Sequence, residues 1–108
     1  MRVQLNVELH PDAEAELYKC IRYYDSQVRG LGAKFLNAFD SVGQRISTFP
    51  KSNAIILKPD IRKASLSIFP TSVIYRITPN NIEILAITHT RRKPFYWIAR
   101  KPQRSGGV

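Results

Sequence analysis

The segment SVIYRITPNNIEILAITH, residues 72–89, decides how this chain folds. Ser72–Ile77 is β-branched and aromatic, Pro79-Asn80-Asn81 is a turn cluster, and Ile82–His89 is a second apolar run. Two such runs joined by a short turn predict an antiparallel hairpin. Arg76 sits mid-strand between Tyr75 and Ile77, on the face of Ile74, so its charge needs a rim position or a partner. Strict alternation places His89 on one face with Leu85 and Ile87, where a structural histidine is as good a reading as a general base.

Working outward, Ile61–Phe69 carries Ala64, Leu66 and Ile68 in alternation with Ser65 and Ser67 and predicts a further strand; Ile55–Leu57, bounded by Pro59, predicts a short one. Upstream of Pro50 the period changes. Phe35, Phe39, Val42, Ile46 and Phe49 recur at helical spacing, as do Leu17, Ile21, Tyr24 and Val28, with Cys20 beside them as a small buried hydrophobe. Pro11 opens the first helix, Asp12, Glu14 and Glu16 complement its dipole, and Gly30 stops it. The short joint Gly30-Leu31-Gly32 predicts an antiparallel helix hairpin with both stripes facing the core. Val3, Leu5, Val7 and Leu9 alternate with polar residues, a half-buried strand over Met1–Leu9. The predicted fold is α+β: an N-terminal strand, an antiparallel two-helix hairpin, then an antiparallel β-meander with the helices on one sheet face. A single domain is expected over residues 1–104, with 105–108 a frayed C-terminal tail. Pro94–Ile98 reads as a short helical turn or a strand.

Composition narrows the function. With 108 residues and 44% apolar content, the chain suits one domain with a real core. One cysteine forms no internal disulfide, which points to a reducing cytoplasm. The longest apolar runs, such as Ile84–Ile87, are far below the ~20 residues of a membrane span, and the start of the chain is unlike a signal peptide. No His/Cys spacing suits a metal, and Gly30-x-Gly32 lacks the third glycine of a phosphate loop, so neither metal nor small-molecule cofactor is expected. Beyond residue 50 the acids are Asp60 and Glu83, which argues against a paired-carboxylate mechanism.

Charge is sharply divided. Residues 1–50 hold six bases and six acids, whereas residues 51–108 hold eleven bases and two acids. Arg62, Lys63, Arg76, Arg91, Arg92, Lys93 and Arg100, interleaved with Phe95, Tyr96 and Trp97, form a basic-aromatic set suited to phosphates and bases or to an acidic protein. One continuous positive surface is the expectation, with at least one of the three aromatics tucked against the sheet.

The run Phe69-Pro70, Val73–Ile77, Ile82–His89, Arg91–Pro94 and Tyr96-Trp97, together with Pro11-x-Ala13-x-x-x-Leu17, Gly30-Leu31-Gly32-x-x-Phe35 and Ile61-Arg62-Lys63, resembles the RelE/ParE superfamily of bacterial type II toxins over about residues 3–100. The resemblance implies a small basic toxin held inactive by a cognate acidic antitoxin, for which Leu17, Ile21, Tyr24, Arg62, Arg76 and Arg92 are the candidate contacts. It also implies a target, either DNA gyrase or the ribosome with its messenger RNA, engaged by Arg62, Lys63, Arg76, Arg91, Arg92, Lys93, Tyr96, Trp97 and Arg100. In the ribonuclease branch Arg62, His89, Arg92 and Tyr96 are the candidate catalytic set. The family's helix-region glutamate has no match between Asp40 and Pro59, and the His-x-Arg-Arg-x-Pro-x-Tyr-Trp ending is more similar to ParE-type members. A non-toxic nucleic-acid-binding module is the reading from outside the toxins.

Overall fold

The computed structural model describes residues 6–100. Strand β1 (Asn6–Leu9) leads into helices α1 (Pro11–Gln27) and α2 (Leu31–Thr48). Strands β2 (Ile55–Leu57), β3 (Ile61–Ser65), β4 (Thr71–Ile77) and β5 (Asn81–His89) follow. Among the described residues these strands form one five-stranded sheet in the order β1-β5-β4-β3-β2, and with the two helices they make an α+β fold. β2 to β5 pair antiparallel, as the meander predicts. β1 instead runs parallel to β5, from Asn6 opposite Asn81 to Leu9 opposite Ile84. Nothing local sets that direction, because the two strands are separated by almost the whole chain. The predicted strand over Met1–Leu9 and the predicted tail at 105–108 lie partly or wholly outside the described residues.

The helix ends follow from local chemistry. The His10 side chain accepts the Asp12 N–H at the start of α1, with Pro11 in the first helical position. Between the helices Gly30 is left-handed (φ 90°), and the Asp25 carboxylate accepts both the Gly30 and Gly32 N–H groups that begin α2. Gly32 is required for a second reason. A Cβ there would lie 2.6 Å from the Ile21 carbonyl oxygen, so only glycine lets the helices approach this closely.

Both stripes pack on one sheet face. Ala13, Leu17, Phe35, Phe39, Val42 and Ile46 bury against Val73, Tyr75, Ile82, Ile84 and Ile87, each large side chain contributing about 1.5–3 kcal/mol of transfer free energy. Two predicted stripe members do not join them. Val28 and Phe49 fall one residue past the helix ends, where the helical phase has already lapsed, and both are exposed.

The sheet departs from simple alternation at two places. β3 stops at Ser65 rather than Phe69: Leu66 and Phe69 still reach the core, but Ile68 turns outward at φ 60° and is 84% exposed. In β5, Ile74 pairs with Ala86 and Tyr75 with Ile84, leaving Leu85 as the extra residue of a bulge. The bulge sends Leu85 to the sheet face opposite Ile87, so the expectation that Leu85, Ile87 and His89 share a face is wrong at Leu85. On that second face Ile74, Leu85 and Ala86 are covered by Trp97, 3% exposed, from a C-terminal segment that forms turns rather than a helix or strand.

Candidate functional site

The C-terminal segment separates two clefts. On the second sheet face a cavity of about 260 Å³ is floored by Ile74, Ser72 and Trp97 and rimmed by Lys63, His89, Arg92 and Lys93. On the other side a groove of about 510 Å³ runs between α1 and the end of β5, lined by Cys20, Tyr23, Tyr24 and Ile87, with Lys19, His89 and Arg92 at its rim. Arg92 and His89 line both. His89 Nδ1 accepts the Arg91 N–H, which leaves Nε2 to carry the proton of a neutral ring.

The second-half cations do not make the single continuous surface that composition suggests. Arg62 lies on the helix face of β3, cross-strand from Tyr75. Its Nε is 2.8 Å from Asp60, and its Nη1 donates to the carbonyls of Lys51 and Asn53. With the Tyr75 hydroxyl donating to the Pro50 carbonyl, it clamps the loop after α2. Lys63, the next residue, points to the opposite face and lines the cavity. Arg76 pairs with its cross-strand neighbour Glu83 at 2.8 Å, the partner a mid-strand charge requires. Its Nε is buried without a hydrogen bond among the described residues. Arg62, Arg76 and Arg100 are thus each held by a carboxylate. Arg91 and Lys93 are exposed. Of the helix residues, Leu17 is committed to the core, while Ile21 and Tyr24 are half-buried against it.

The residue that organises the segment is Glu16, which the sequence offered only as a dipole complement. Its Oε1 accepts the Ile87 N–H at 3.0 Å and Arg100 Nη1 at 2.9 Å; its Oε2 accepts the Tyr96 hydroxyl at 2.6 Å and Arg100 Nη2 at 3.0 Å. Arg92 Nη1 lies 4.0 Å away, and its guanidinium sits over the Tyr96 ring, 3.9 Å from the centroid. Burial alone would raise the Glu16 carboxyl, but the hydrogen bonds from Arg100, Tyr96 and Ile87 outweigh it and hold it below the ordinary value. Burial and the bond to Glu16 push the Tyr96 phenol up, and the bond to Glu16 raises Arg100. One signal was available: Glu16 is three residues after Ala13 and four before Cys20, inside the packed stripe rather than on the wet face.

Comparison with known proteins places this arrangement. No curated protein matches the sequence. The structure is similar to a chain of the chromosomal ParDE TA system from P. aeruginosa, with a TM-score of 0.60 and 19% identity over 80% of this chain and 96% of that one, a likeness of fold. The sequence profile described as "ParE toxin of type II toxin-antitoxin system, parDE" matches residues 7–94. The helix hairpin, the meander and all but the first residue of β1 fall inside that match, and the chain therefore belongs to the ParE toxin family of type II toxin-antitoxin systems.

Proposed function

We propose that this toxin arrests growth by inhibiting DNA gyrase and is neutralised by a cognate acidic antitoxin, in the cytoplasm. Family membership carries the toxin reading, and the two clefts give it a physical form. The α1 groove joins an apolar lining to the cations Lys19 and Arg92, and the one carboxylate in its described lining, Glu16, is already paired with Arg100. An amphipathic acidic segment fits it, laying rings and aliphatic groups on Tyr23 and Tyr24 and carboxylates toward the rim. The cavity on the second sheet face, lined by Lys63, Arg92 and Lys93 with no carboxylate among its described lining residues, presents the charge that a DNA-bound enzyme would meet.

The observation that favours gyrase over a ribonuclease target is the position of Arg62. Phosphate cleavage needs its base, acid and cation around one scissile bond. His89, Arg92 and Tyr96 cluster at the C-terminal segment, but Arg62 sits on the helix face of the sheet, held by Asp60 and two loop carbonyls.

Expression of the chain in a bacterial host, alone and beside the product of any short acidic reading frame that adjoins its gene, tests the reading. Growth arrest relieved by the neighbour, with loss of supercoiling by purified gyrase, is expected. Unimpaired growth would leave the nucleic-acid-binding module. Ribosome-dependent message cleavage, lost in His89→Ala, would put the ribonuclease branch in its place.

A further inference from the structure

β1 covers only the first half of β5. Their pairing ends at Leu9 opposite Ile84, followed by the His10 N–H donating to the Ile84 carbonyl. Beyond that point the chain turns into α1, and among the described residues no strand pairs with this edge of β5 from Leu85 onward. An open edge is a row of unpaired donors and acceptors. Here two side chains take the place of the missing backbone: Glu16 accepts the Ile87 N–H, and Arg100 Nη1 donates to the Leu85 carbonyl at 2.9 Å. The two then bind each other in a bidentate pair.

The C-terminal segment has little else to hold it on this side. It makes no ladder, and Phe95 adopts φ 60°, a conformation that costs a non-glycine residue free energy and persists only where surroundings impose it. Trp97 pins the segment to the second sheet face. Toward α1, four hydrogen bonds from Tyr96, Arg100 and Ile87 converge on one carboxylate, 15% exposed, and the much more exposed Asp12 carboxylate adds an ion pair 3.6 Å from Arg100 Nε. The Tyr96 ring in turn takes both the Arg92 and Arg100 guanidiniums over it, at 3.9 and 5.1 Å from its centroid.

We propose that Glu16 is a positioning residue: it holds Tyr96, Arg100 and through them Arg92, so that the cationic wall of the second-face cavity faces the target. The proposal rests on the gyrase reading for its activity arm only. Glu16 itself touches no target; it acts through the segment 80 residues along the chain that it anchors.

Two variants and two readouts test it. Glu16→Gln keeps the volume and an oxygen for the Ile87 N–H but removes the charge that Arg100 and Tyr96 need. Asp25→Ala, which strips the cap between the helices far from the segment, is the control for lost stability. In Glu16→Gln, amide exchange over residues 95–100 is expected to rise about tenfold, corresponding to roughly 1.4 kcal/mol of lost local protection. Gyrase inhibition is expected to fall by a similar factor. In Asp25→Ala the melting temperature falls while segment exchange and inhibition stay near wild type. Unchanged exchange in Glu16→Gln, or equal loss of inhibition in both variants, would overturn the anchor. A wild-type protein that does not inhibit gyrase would overturn the target reading instead, and the exchange arm would still decide the anchor.

Discussion

Glu16 and Arg100, 84 residues apart in sequence, meet in a bidentate ion pair with Nη1–Oε1 2.9 Å and Nη2–Oε2 3.0 Å. The pair joins the first helix to the last described turn of the chain. Both side chains are about 15% exposed, so solvent screens the attraction far less than at a surface pair. Arg100→Ala should therefore destabilise the fold by about 2–3 kcal/mol, since it leaves a part-buried carboxylate short of two donors and the Leu85 carbonyl unpaired. A double-mutant cycle with Glu16→Ala, read by urea denaturation, should return a coupling energy of at least about 1 kcal/mol; strict additivity would refute the pair's role.

Acid should release the same contact. The folded state holds the Glu16 carboxyl below its ordinary value of 4.5, so on lowering the pH the unfolded chain takes up this proton first. The stabilisation is complete above that ordinary value and is lost as pH falls through it toward the folded value. The stability gap between wild type and Glu16→Gln should accordingly be full at neutral pH and shrink steadily as the pH is lowered through the ordinary carboxyl value and below it. A gap independent of pH would mean that the charge contributes nothing.

Arg62 and Lys63 are adjacent yet should behave as opposites. Arg62→Ala removes the clamp on the Lys51–Asn53 loop and should cost about 1–3 kcal/mol. Lys63→Gln, at an exposed position on the cavity rim, should leave the melting temperature within about 1–2 °C. It should nonetheless weaken target binding and flatten its salt dependence. Equal melting temperatures for the two variants would contradict their placement on opposite faces.

The helix hairpin offers a paired glycine test. Gly32→Ala brings a Cβ to 2.6 Å from the Ile21 carbonyl and should cost about 1–3 kcal/mol through overpacking. Gly43→Ala, inside α2 with nothing within 4 Å of its Cβ, should gain up to about 1 kcal/mol from helix propensity. Thermal melts of the two variants should shift in opposite directions.

Ile68 is a β-branched residue at φ 60° with its side chain in water. Ile68→Asn should raise stability by about 1 kcal/mol, a gain of several degrees in melting temperature, because asparagine tolerates the left-handed region. A fall in melting temperature would show that Ile68 has a packing role its exposure does not suggest.

Element type and order were legible in the sequence because they are written in local period and punctuation. Leu17, Ile21 and Tyr24 at helical spacing, Pro50 as a stop and Pro79-Asn80-Asn81 as a turn each act over a few residues. The same locality explains the overshoots at Val28 and Phe49, one residue past their helices, and at Ile68, three past the end of β3, where an apolar residue keeps the phase after the element has ended. Tertiary structure alone decided the rest. The direction of β1 beside β5, the extra residue at Leu85, the separation of Arg62 from Arg92 across the sheet, and the capture of Tyr96 and Arg100 by Glu16 all join residues distant in the chain. Which donor reaches which acceptor across such distances depends on where the packed elements bring them, and no local pattern of side chains encodes that.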